Sequence, residues 1–303
     1  MKKWLALLLT AVFMMALVGC QTKNTSDQGK KGAVEVTDMM SRTVKLTQAP
    51  VRIVSLTPST TEILSALGLK DKLVGVDAFS DYPEDVKSIA KVGDFNGPNI
   101  EKIIGLKPDL VVAGNKLQEK AIKQLDDLKV TTAAVESSTY KDIYRSIELV
   151  GKLTGTDAKA SALIGLMKKK EAEIIAKVKD AKKPSVYYVL SYGEAGNWTS
   201  GPTSFINDIL ALAGGDAVTK DGGAPWMDYS MEQLIKKDPD FILVSSDVGD
   251  AEKLKKANGY KDLRAVKEGK VIVINSNLVS RPGPRIVDGL EAIAKAIHSE
   301  LFK

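Results

Sequence analysis

The stretch Asn99-Ile-Glu-Lys-Ile-Ile-Gly-Leu-Lys-Pro-Asp-Leu-Val-Val112 returns later in the chain as Ser230-Met-Glu-Gln-Leu-Ile-Lys-Lys-Asp-Pro-Asp-Phe-Ile-Leu243. Each copy begins with a residue that favours the N-cap of a helix, continues with helical spacing, and then reaches Pro-Asp and three apolar residues. Because proline disfavours helix in the residue before it, the helix ends there and a buried strand begins. The repeat therefore predicts one helix-to-strand unit in each half of the chain.

Strands and helices alternate on both sides of each copy. Short apolar or β-branched runs predict strands at 52–56, 73–76, 109–113, 130–135, 185–190, 240–244 and 270–274. Stretches with helical spacing predict helices at 62–67, 83–88, 99–106, 117–127, 203–213, 251–257 and 284–301. Alternation of this kind is typical of βαβ units. We expect two similar α/β lobes with mainly parallel sheets.

A long amphipathic stretch, residues 156–180, separates the two halves. Its apolar residues recur close to a 3.6-residue period. A helix of about 24 residues spans about 36 Å, which is enough to cross from one lobe to the other. We predict an N-terminal lobe (34–155), a rigid interlobe helix (156–181) and a C-terminal lobe (182–303). In this α/β architecture two Rossmann-like lobes face each other across a ligand cleft.

The start of the chain reads as an export signal. Two lysines precede an apolar segment at 4–18 that is short for a membrane span, and the only cysteine, Cys20, follows directly after Gly19. This ending resembles the lipobox of bacterial lipoproteins, whose cysteine carries lipid, although a signal peptide with a chance cysteine is the alternative. We predict a lipoprotein signal peptide (1–19), lipid attachment at Cys20 and a flexible tether (20–33). The protein then lies lipid-anchored on the extracytoplasmic face of the cell membrane.

Composition excludes several classes of function. The 303 residues carry a net charge of +5 with no dense basic run after the tether, which argues against nucleic-acid binding. One cysteine and one histidine, His298, are too few for most zinc sites, for cysteine nucleophiles with a histidine base and for histidine-based triads. We expect His298 to be structural or solvated. A cell-surface hydrolase is disfavoured because Ser59 and Ser200 have no histidine nearby, and no catalytic residue is predicted.

Glu101 and Glu232 occupy the same position in the two copies of the repeat. Each is expected to be the second residue of its helix, where the helix dipole alone favours an acid by about 0.3–1 kcal/mol. The pseudo-two-fold relation of the lobes nevertheless places two carboxylates in equivalent exposed positions. A two-fold symmetric partner with basic pockets would recognise such a pair.

The wider pattern resembles a known family. The motifs are Val36-Thr-Asp38, Pro50-Val-Arg-Ile-Val-Ser-Leu-Thr-Pro-Ser-Thr-Thr-Glu-Ile-Leu64, Phe79-Ser-Asp-Tyr-Pro83, Val92-Gly-Asp-Phe-Asn-Gly-Pro-Asn99, Thr199-Ser-Gly201, Pro225-Trp226 and Arg281-Pro-Gly-Pro-Arg285. From about residue 34 to the end, they resemble the helical-backbone (class III) substrate-binding lipoproteins of ABC importers. That family carries cobalamin, ferric siderophores and haem. Within that family, three of these stretches are most similar to the cobalamin-binding branch: Phe79-Ser-Asp-Tyr-Pro83, Asn96-Gly-Pro-Asn99 and Pro225-Trp226.

The resemblance implies the function and the site. A monomeric receptor, not an enzyme and without a resident cofactor or metal, captures cobalamin or a related corrinoid and delivers it to an ABC permease dimer with its ATPase subunits. Glu101 and Glu232 match the family's permease-docking glutamates. The implied ligand-binding residues are Ser59, Phe79, Phe95, Tyr192, Trp198, Trp226 and Arg281. Gly114 departs from the pattern, because an aromatic residue is expected there.

Two other cargoes stay open within the same class of receptor. A ferric siderophore is an anionic chelate that calls for several cationic residues, and the candidates in the sequence are Arg281 and Arg285. A haem receptor needs an axial ligand, which Tyr82 or Tyr192 would supply. A purely structural lipoprotein would bind no ligand at all.

Overall fold

The computed structural model describes residues 33–94, 96–114, 118–135 and 137–303. Its strands are β1 (Val34–Thr37), β2 (Thr43–Leu46), β3 (Ile53–Ser55), β4 (Leu73–Val76), β5 (Leu110–Ala113), β6 (Thr132–Ala134), β7 (Ser185–Val189), β8 (Trp198–Ser200), β9 (Asp216–Ala217), β10 (Trp226–Asp228), β11 (Phe241–Ser245) and β12 (Val271–Ile274). Its α-helices are α1 (Pro58–Ala66), α2 (Ile100–Gly105), α3 (Glu119–Asp127), α4 (Tyr140–Thr154), α5 (Asp157–Val178), α6 (Phe205–Leu212), α7 (Met231–Lys237), α8 (Ala251–Lys256), α9 (Arg264–Lys267), α10 (Ser276–Val279) and α11 (Ile286–Ile297).

Two four-stranded sheets form the centres of the two lobes. The first has the order β4-β3-β5-β6 and the second the order β9-β7-β11-β12, and every pairing in both is parallel. In each sheet the strand that comes first in the chain, β3 or β7, lies between the second and the third, so the two lobes share one sheet topology. The central strands are buried along their length, apart from the partly buried first residue of β11, as expected for parallel sheets covered on both faces. The predicted α/β architecture is confirmed.

The ends of the predicted elements differ from the structure by a few residues, and some elements were not predicted. The stretch 83–88 is a 3₁₀ turn at Glu84–Ser88 rather than an α-helix. The 15-residue helix α4 was missed, as were the antiparallel hairpin β1/β2 and the antiparallel strand pair β8/β10. Helix α1 begins four residues before the predicted start, because Pro58 is favourable at its first turn and Thr57 caps it.

The Pro-Asp pair of the repeat has the same structural role in both lobes. The Asp109 carboxylate accepts hydrogen bonds from the backbone N–H groups of Val51 and Arg52, just before β3. The Asp240 carboxylate accepts one from the N–H of Ser185, the first residue of β7. Asp109 therefore links the start of β5 to the start of β3, and Asp240 links the start of β11 to the start of β7.

Helix α5 contacts both lobes. It packs on α4 of the N-terminal lobe and on α11 of the C-terminal lobe. The close turn from α4 into α5 requires a glycine, since a Cβ at Gly151 would lie 2.6 Å from the Cβ of Ala160. At the other lobe, Lys170 Nζ forms ion pairs of 2.7 Å with Asp288 and Glu291. With 22 residues, α5 is about 33 Å long.

The predicted signal peptide, Cys20 and most of the tether precede the described residues. Among the helices that the structure describes, none combines the length and apolar character needed to cross a bilayer.

Candidate functional site: a cleft between the lobes

A cavity of about 990 Å³ lies between the two lobes. Residues that follow β3, β4, β5 and β6 line it from the N-terminal lobe, and residues that follow β7, β11 and β12 line it from the C-terminal lobe. Both sheets therefore direct the carboxyl ends of their strands at the same space. Ligands of open parallel α/β sheets bind at such ends.

Two aromatic side chains face the cavity from opposite lobes. Phe79 is 56% exposed and Trp226 is 40% exposed, which is high for large apolar side chains. Trp226 opens β10 and packs edge-to-face on Phe205, with ring centroids 5.7 Å apart. The Phe79 backbone N–H donates to Asp77 Oδ1 at 2.8 Å, which fixes the loop that carries the ring. The cavity thus has two aromatic walls held by the fold before any ligand arrives.

Neutral polar groups complete the lining. Serine, threonine and asparagine side chains contribute from both lobes, at Thr57, Ser59, Ser137, Ser138, Thr139, Thr203, Ser276, Asn277 and Ser280. The buried Gln118 links two loops of the N-terminal lobe: Oε1 accepts from the Gly114 N–H at 2.7 Å, and Nε2 donates to the Leu56 carbonyl at 2.8 Å. The site therefore offers many uncharged hydrogen-bonding groups.

Gly114 lies in this lining, where the family resemblance predicts an aromatic residue. A Cβ at Gly114 would lie 2.6 Å from Thr57 Cγ2. A side chain here would have to displace Thr57, the N-cap of α1. The local packing accounts for the glycine and leaves this part of the cavity open.

The described lining contains two charged side chains, Asp247 and Arg281. Asp247 Oδ1 accepts a hydrogen bond of 2.7 Å from Ser276 Oγ. Arg281 Nη1 lies 2.5 Å from Asp81 Oδ1 and 3.4 Å from Glu62 Oε1. The Arg281 charge is therefore balanced by two carboxylates of the opposite lobe.

Arg281 belongs to a larger group of ion pairs, which we call the clasp: Glu62, Asp81, Arg281 and Arg285. Arg285 donates to both oxygens of the buried Glu62 carboxylate, at 2.9 and 2.5 Å. Its guanidinium also stacks on the Tyr82 ring, 3.8 Å from the centroid. Desolvation would raise the pKa of Asp81, but hydrogen bonding to Arg281 and its charge hold that pKa below the ordinary value. The clasp ties the loop before α11 to the N-terminal lobe.

Burial raises the pKa of the Asp77 carboxyl to about 6, with the Asp94 charge acting in the same direction and the Phe79 N–H, Lys91 and Arg281 opposing it. The unfolded chain releases this proton near pH 4, so the folded state binds more protons between about pH 4 and 6, and stability falls as pH rises through that window. We expect Asp77→Asn to stabilise the protein at pH 8 by about 2 kcal/mol, with the gain vanishing below pH 4. Urea denaturation at the two pH values measures the difference.

The exposed carboxyl of Asp71 provides the control, and Asp71→Asn should change stability by a similar small amount at both pH values. A loss of stability in Asp77→Asn that is equal at pH 4 and pH 8 would contradict the burial argument.

The structure brings together four of the seven ligand-binding residues that the sequence suggested. Ser59, Phe79, Trp226 and Arg281 line the cavity. Tyr192 lies outside the lining and packs edge-on against Tyr260, 6.1 Å between centroids.

Trp198 lies on β8, which pairs with the strand of Trp226, but it is outside the cavity lining, with its indole over Gly196. The seventh residue, Phe95, falls outside the described residues.

Glu101 and Glu232 are exposed, and neither lines the cavity. Each is the second residue of its helix, following the caps Asn99 and Ser230, whose side chains accept from the N–H three residues on. The two carboxylates thus occupy equivalent positions on the surfaces of the two lobes.

His298 is buried at the end of α11, with Nε2 3.3 Å from the Gly214 carbonyl oxygen. The prediction of a structural histidine is confirmed. In the described ranges, no three residues of His, Cys, Asp or Glu are grouped so as to hold a metal ion.

Sequence reasoning missed most of the polar lining. Ser137, Ser276, Asn277 and Asp247 each follow the end of a parallel strand closely. The rule that ligands bind at carboxyl strand ends would have indicated them.

Residues 53–278 match the profile of a family described as periplasmic binding protein. The chain belongs to the periplasmic binding protein family. It is 36% identical over 315 residues to the uncharacterized ABC transporter substrate-binding lipoprotein YvrC of Bacillus subtilis, with 99% of this chain and 98% of the relative covered. The vitamin B12-binding protein of Salmonella typhimurium is 30% identical over 262 residues, covering 86% and 94% of the two chains.

A solved structure from Staphylococcus epidermidis, described as a possible iron-binding (periplasmic solute-binding) protein, is also similar. It superposes with a TM-score of 0.73 at 32% identity and covers 83% of this chain and all of that one. The resemblance found in the sequence is confirmed: this member of the periplasmic binding protein family is a substrate-binding protein of the ABC importer type.

Proposed function

We propose that the protein captures cobalamin or a related corrinoid in the cleft and delivers it, unchanged, to an ABC permease dimer with its ATPase subunits. The observation that carries the proposal is a cavity with two opposed aromatic walls and a charge-balanced polar lining. A corrin is a flat macrocycle fringed with amides. Its faces suit Phe79 and Trp226, and its amides suit the serine and asparagine side chains between them.

The charges of the site favour this cargo over an anionic iron chelate. A ferric siderophore with carboxylate or catecholate groups would need unpaired cations, whereas the Arg281 charge is balanced by Asp81 and Glu62. Asp247 in the lining would oppose an anion further. The likeness to the possible iron-binding protein of Staphylococcus epidermidis keeps a ferric siderophore as the second candidate.

The described lining does not favour haem, because it contains no tyrosine, histidine or methionine to ligate iron. Tyr82 stacks on Arg285, and Tyr192 packs on Tyr260. Neither candidate axial ligand belongs to the described cavity lining.

Delivery and location complete the proposal. Glu101 and Glu232 dock on basic residues of the two permease subunits, and the receptor acts as a monomer that catalyses no reaction. Likeness to solute-binding proteins, including a relative named as a lipoprotein, supports a non-enzymatic role and an extracytoplasmic membrane anchor. Lipid on Cys20 would supply that anchor after removal of residues 1–19.

Tryptophan fluorescence tests the cargo directly. After signal removal, Trp198 and Trp226 are the only tryptophans of the chain. Titration of the detergent-solubilised protein with cyanocobalamin, haemin and a panel of ferric siderophores should give saturable quenching with cyanocobalamin alone. Saturable quenching by haemin or a siderophore, with no response to cyanocobalamin, would overturn the proposed cargo.

Single-tryptophan variants locate the ligand. Trp198→Phe leaves Trp226 in the cavity wall, and its emission should be quenched strongly. Trp226→Phe leaves Trp198, which lies outside the lining, and the fractional quenching should be several-fold smaller at saturation.

A further inference from the structure

The two copies of the repeat are identical at four of their fourteen positions. The Pro-Asp pair accounts for two, and its role inside each lobe is structural. The other two identities are the Glu101/Glu232 pair and the Ile104/Ile235 pair. All four of these side chains are exposed, with Ile104 at 38% and Ile235 at 47%. Structure within each lobe therefore explains the shared Pro-Asp pair. It does not explain the shared glutamate and isoleucine.

Helix geometry places the glutamate and the isoleucine of each copy side by side. Residues three apart on an α-helix are neighbours on its surface, with Cβ atoms about 5–6 Å apart. The intervening residues Ile103 and Leu234 are fully buried and fix which way each helix faces. Each lobe thus presents a carboxylate with an aliphatic side chain beside it, in the same arrangement on α2 and α7.

A single exposed aliphatic residue on a protein surface is ordinary and needs no explanation. Two that recur at equivalent positions, each beside an equivalent carboxylate, match a partner with two equivalent surfaces. Within the described part of the chain, no ion pair or hydrogen bond engages the side chain of Glu101 or Glu232. Both carboxylates are available for basic groups of a partner.

We propose that Ile104 and Ile235 form the apolar half of the permease-docking surface. Each permease subunit would offer a basic side chain to the glutamate and an adjoining apolar pocket to the isoleucine. The inference rests on the proposed docking role of Glu101 and Glu232. Charge pairs chiefly steer and orient an encounter, whereas burial of apolar side chains lengthens the life of the complex. The isoleucines therefore slow dissociation of the docked receptor, and the glutamates speed and orient its association.

The test measures binding of the full lipoprotein to the permease–ATPase complex that imports its cargo, reconstituted in lipid nanodiscs. Ile104→Gln/Ile235→Gln should weaken binding at least tenfold, mainly through faster dissociation, and leave the salt dependence unchanged. Glu101→Gln/Glu232→Gln should instead slow association and flatten the salt dependence. Leu166→Gln is the matched control, since Leu166 is 69% exposed on α5 outside the repeat, and it should change binding less than twofold.

The conservative pair Ile104→Val/Ile235→Val should retain most of the affinity, and cyanocobalamin quenching should be the same in every variant. Wild-type affinity in the Ile-to-Gln double variant, together with weak binding by the Glu-to-Gln double variant, would overturn this inference alone. Wild-type affinity in both double variants would overturn the docking role of the glutamates as well.

Discussion

Reversing the two exposed glutamates, Glu101→Lys/Glu232→Lys, is expected to lower cargo uptake about 100-fold or more while solution affinity for the cargo stays unchanged. Each reversal replaces an attraction by a repulsion at a basic site of the permease, and like charges placed together at an interface cost several kcal/mol. The two sites lie on different lobes, so their effects should combine nearly additively. Uptake of radiolabelled cyanocobalamin by cells expressing each variant measures the loss.

Single reversals serve as internal controls, because each leaves one lobe able to dock and should lower uptake less than the pair. Neither glutamate lines the cavity, so quenching by cyanocobalamin should follow the wild-type curve. An equal loss of cargo affinity and uptake would place the glutamates in the ligand site, contrary to this account.

Replacing the aromatic wall of the C-terminal lobe, Trp226→Ala, is expected to weaken cyanocobalamin binding about 30- to 100-fold. Large aromatic side chains in the centre of a binding site contribute about 2–3 kcal/mol or more on truncation. Trp226 is held by Phe205 in the free protein, so its surface is in place before the ligand binds. Isothermal titration calorimetry measures the affinity and shows whether the lost binding free energy is enthalpic.

Trp198→Ala is the matched control for Trp226→Ala. The two tryptophans lie on the paired antiparallel strands β8 and β10, but only Trp226 lines the cavity. The Trp198 variant should lose less than threefold in affinity. Comparable losses in the two variants would mean that the cargo lies across the β8/β10 strand pair rather than in the cleft.

The lobes were predictable because the signal lies in local sequence. The repeat at 99–112 and 230–243 contains the helix cap, the proline that ends the helix and the strand, and both copies fold that way. Helix α4 was predictable in principle, since Thr139 and Asp142 form a capping box before its apolar residues.

The ion pairs of the cleft could not be predicted from the local sequence. Arg281 resembles a family ligand residue, but its pairing with Glu62 joins residues 219 positions apart across two lobes. No periodicity or motif carries such a pairing. The tryptophans show the same limit, because which one faces the cavity depends on the pairing of β8 with β10, two strands that are separated in the chain by α6 and β9.

Cargo uptake in a strain that lacks this gene tests capture and delivery together. The deletion should abolish high-affinity uptake of radiolabelled cyanocobalamin and leave uptake of ferric siderophores and haem at wild-type levels. The wild-type gene should restore cyanocobalamin uptake, and the Glu101→Lys/Glu232→Lys variant should not. Unchanged cyanocobalamin uptake in the deletion strain, with loss of siderophore or haem uptake, would contradict the account.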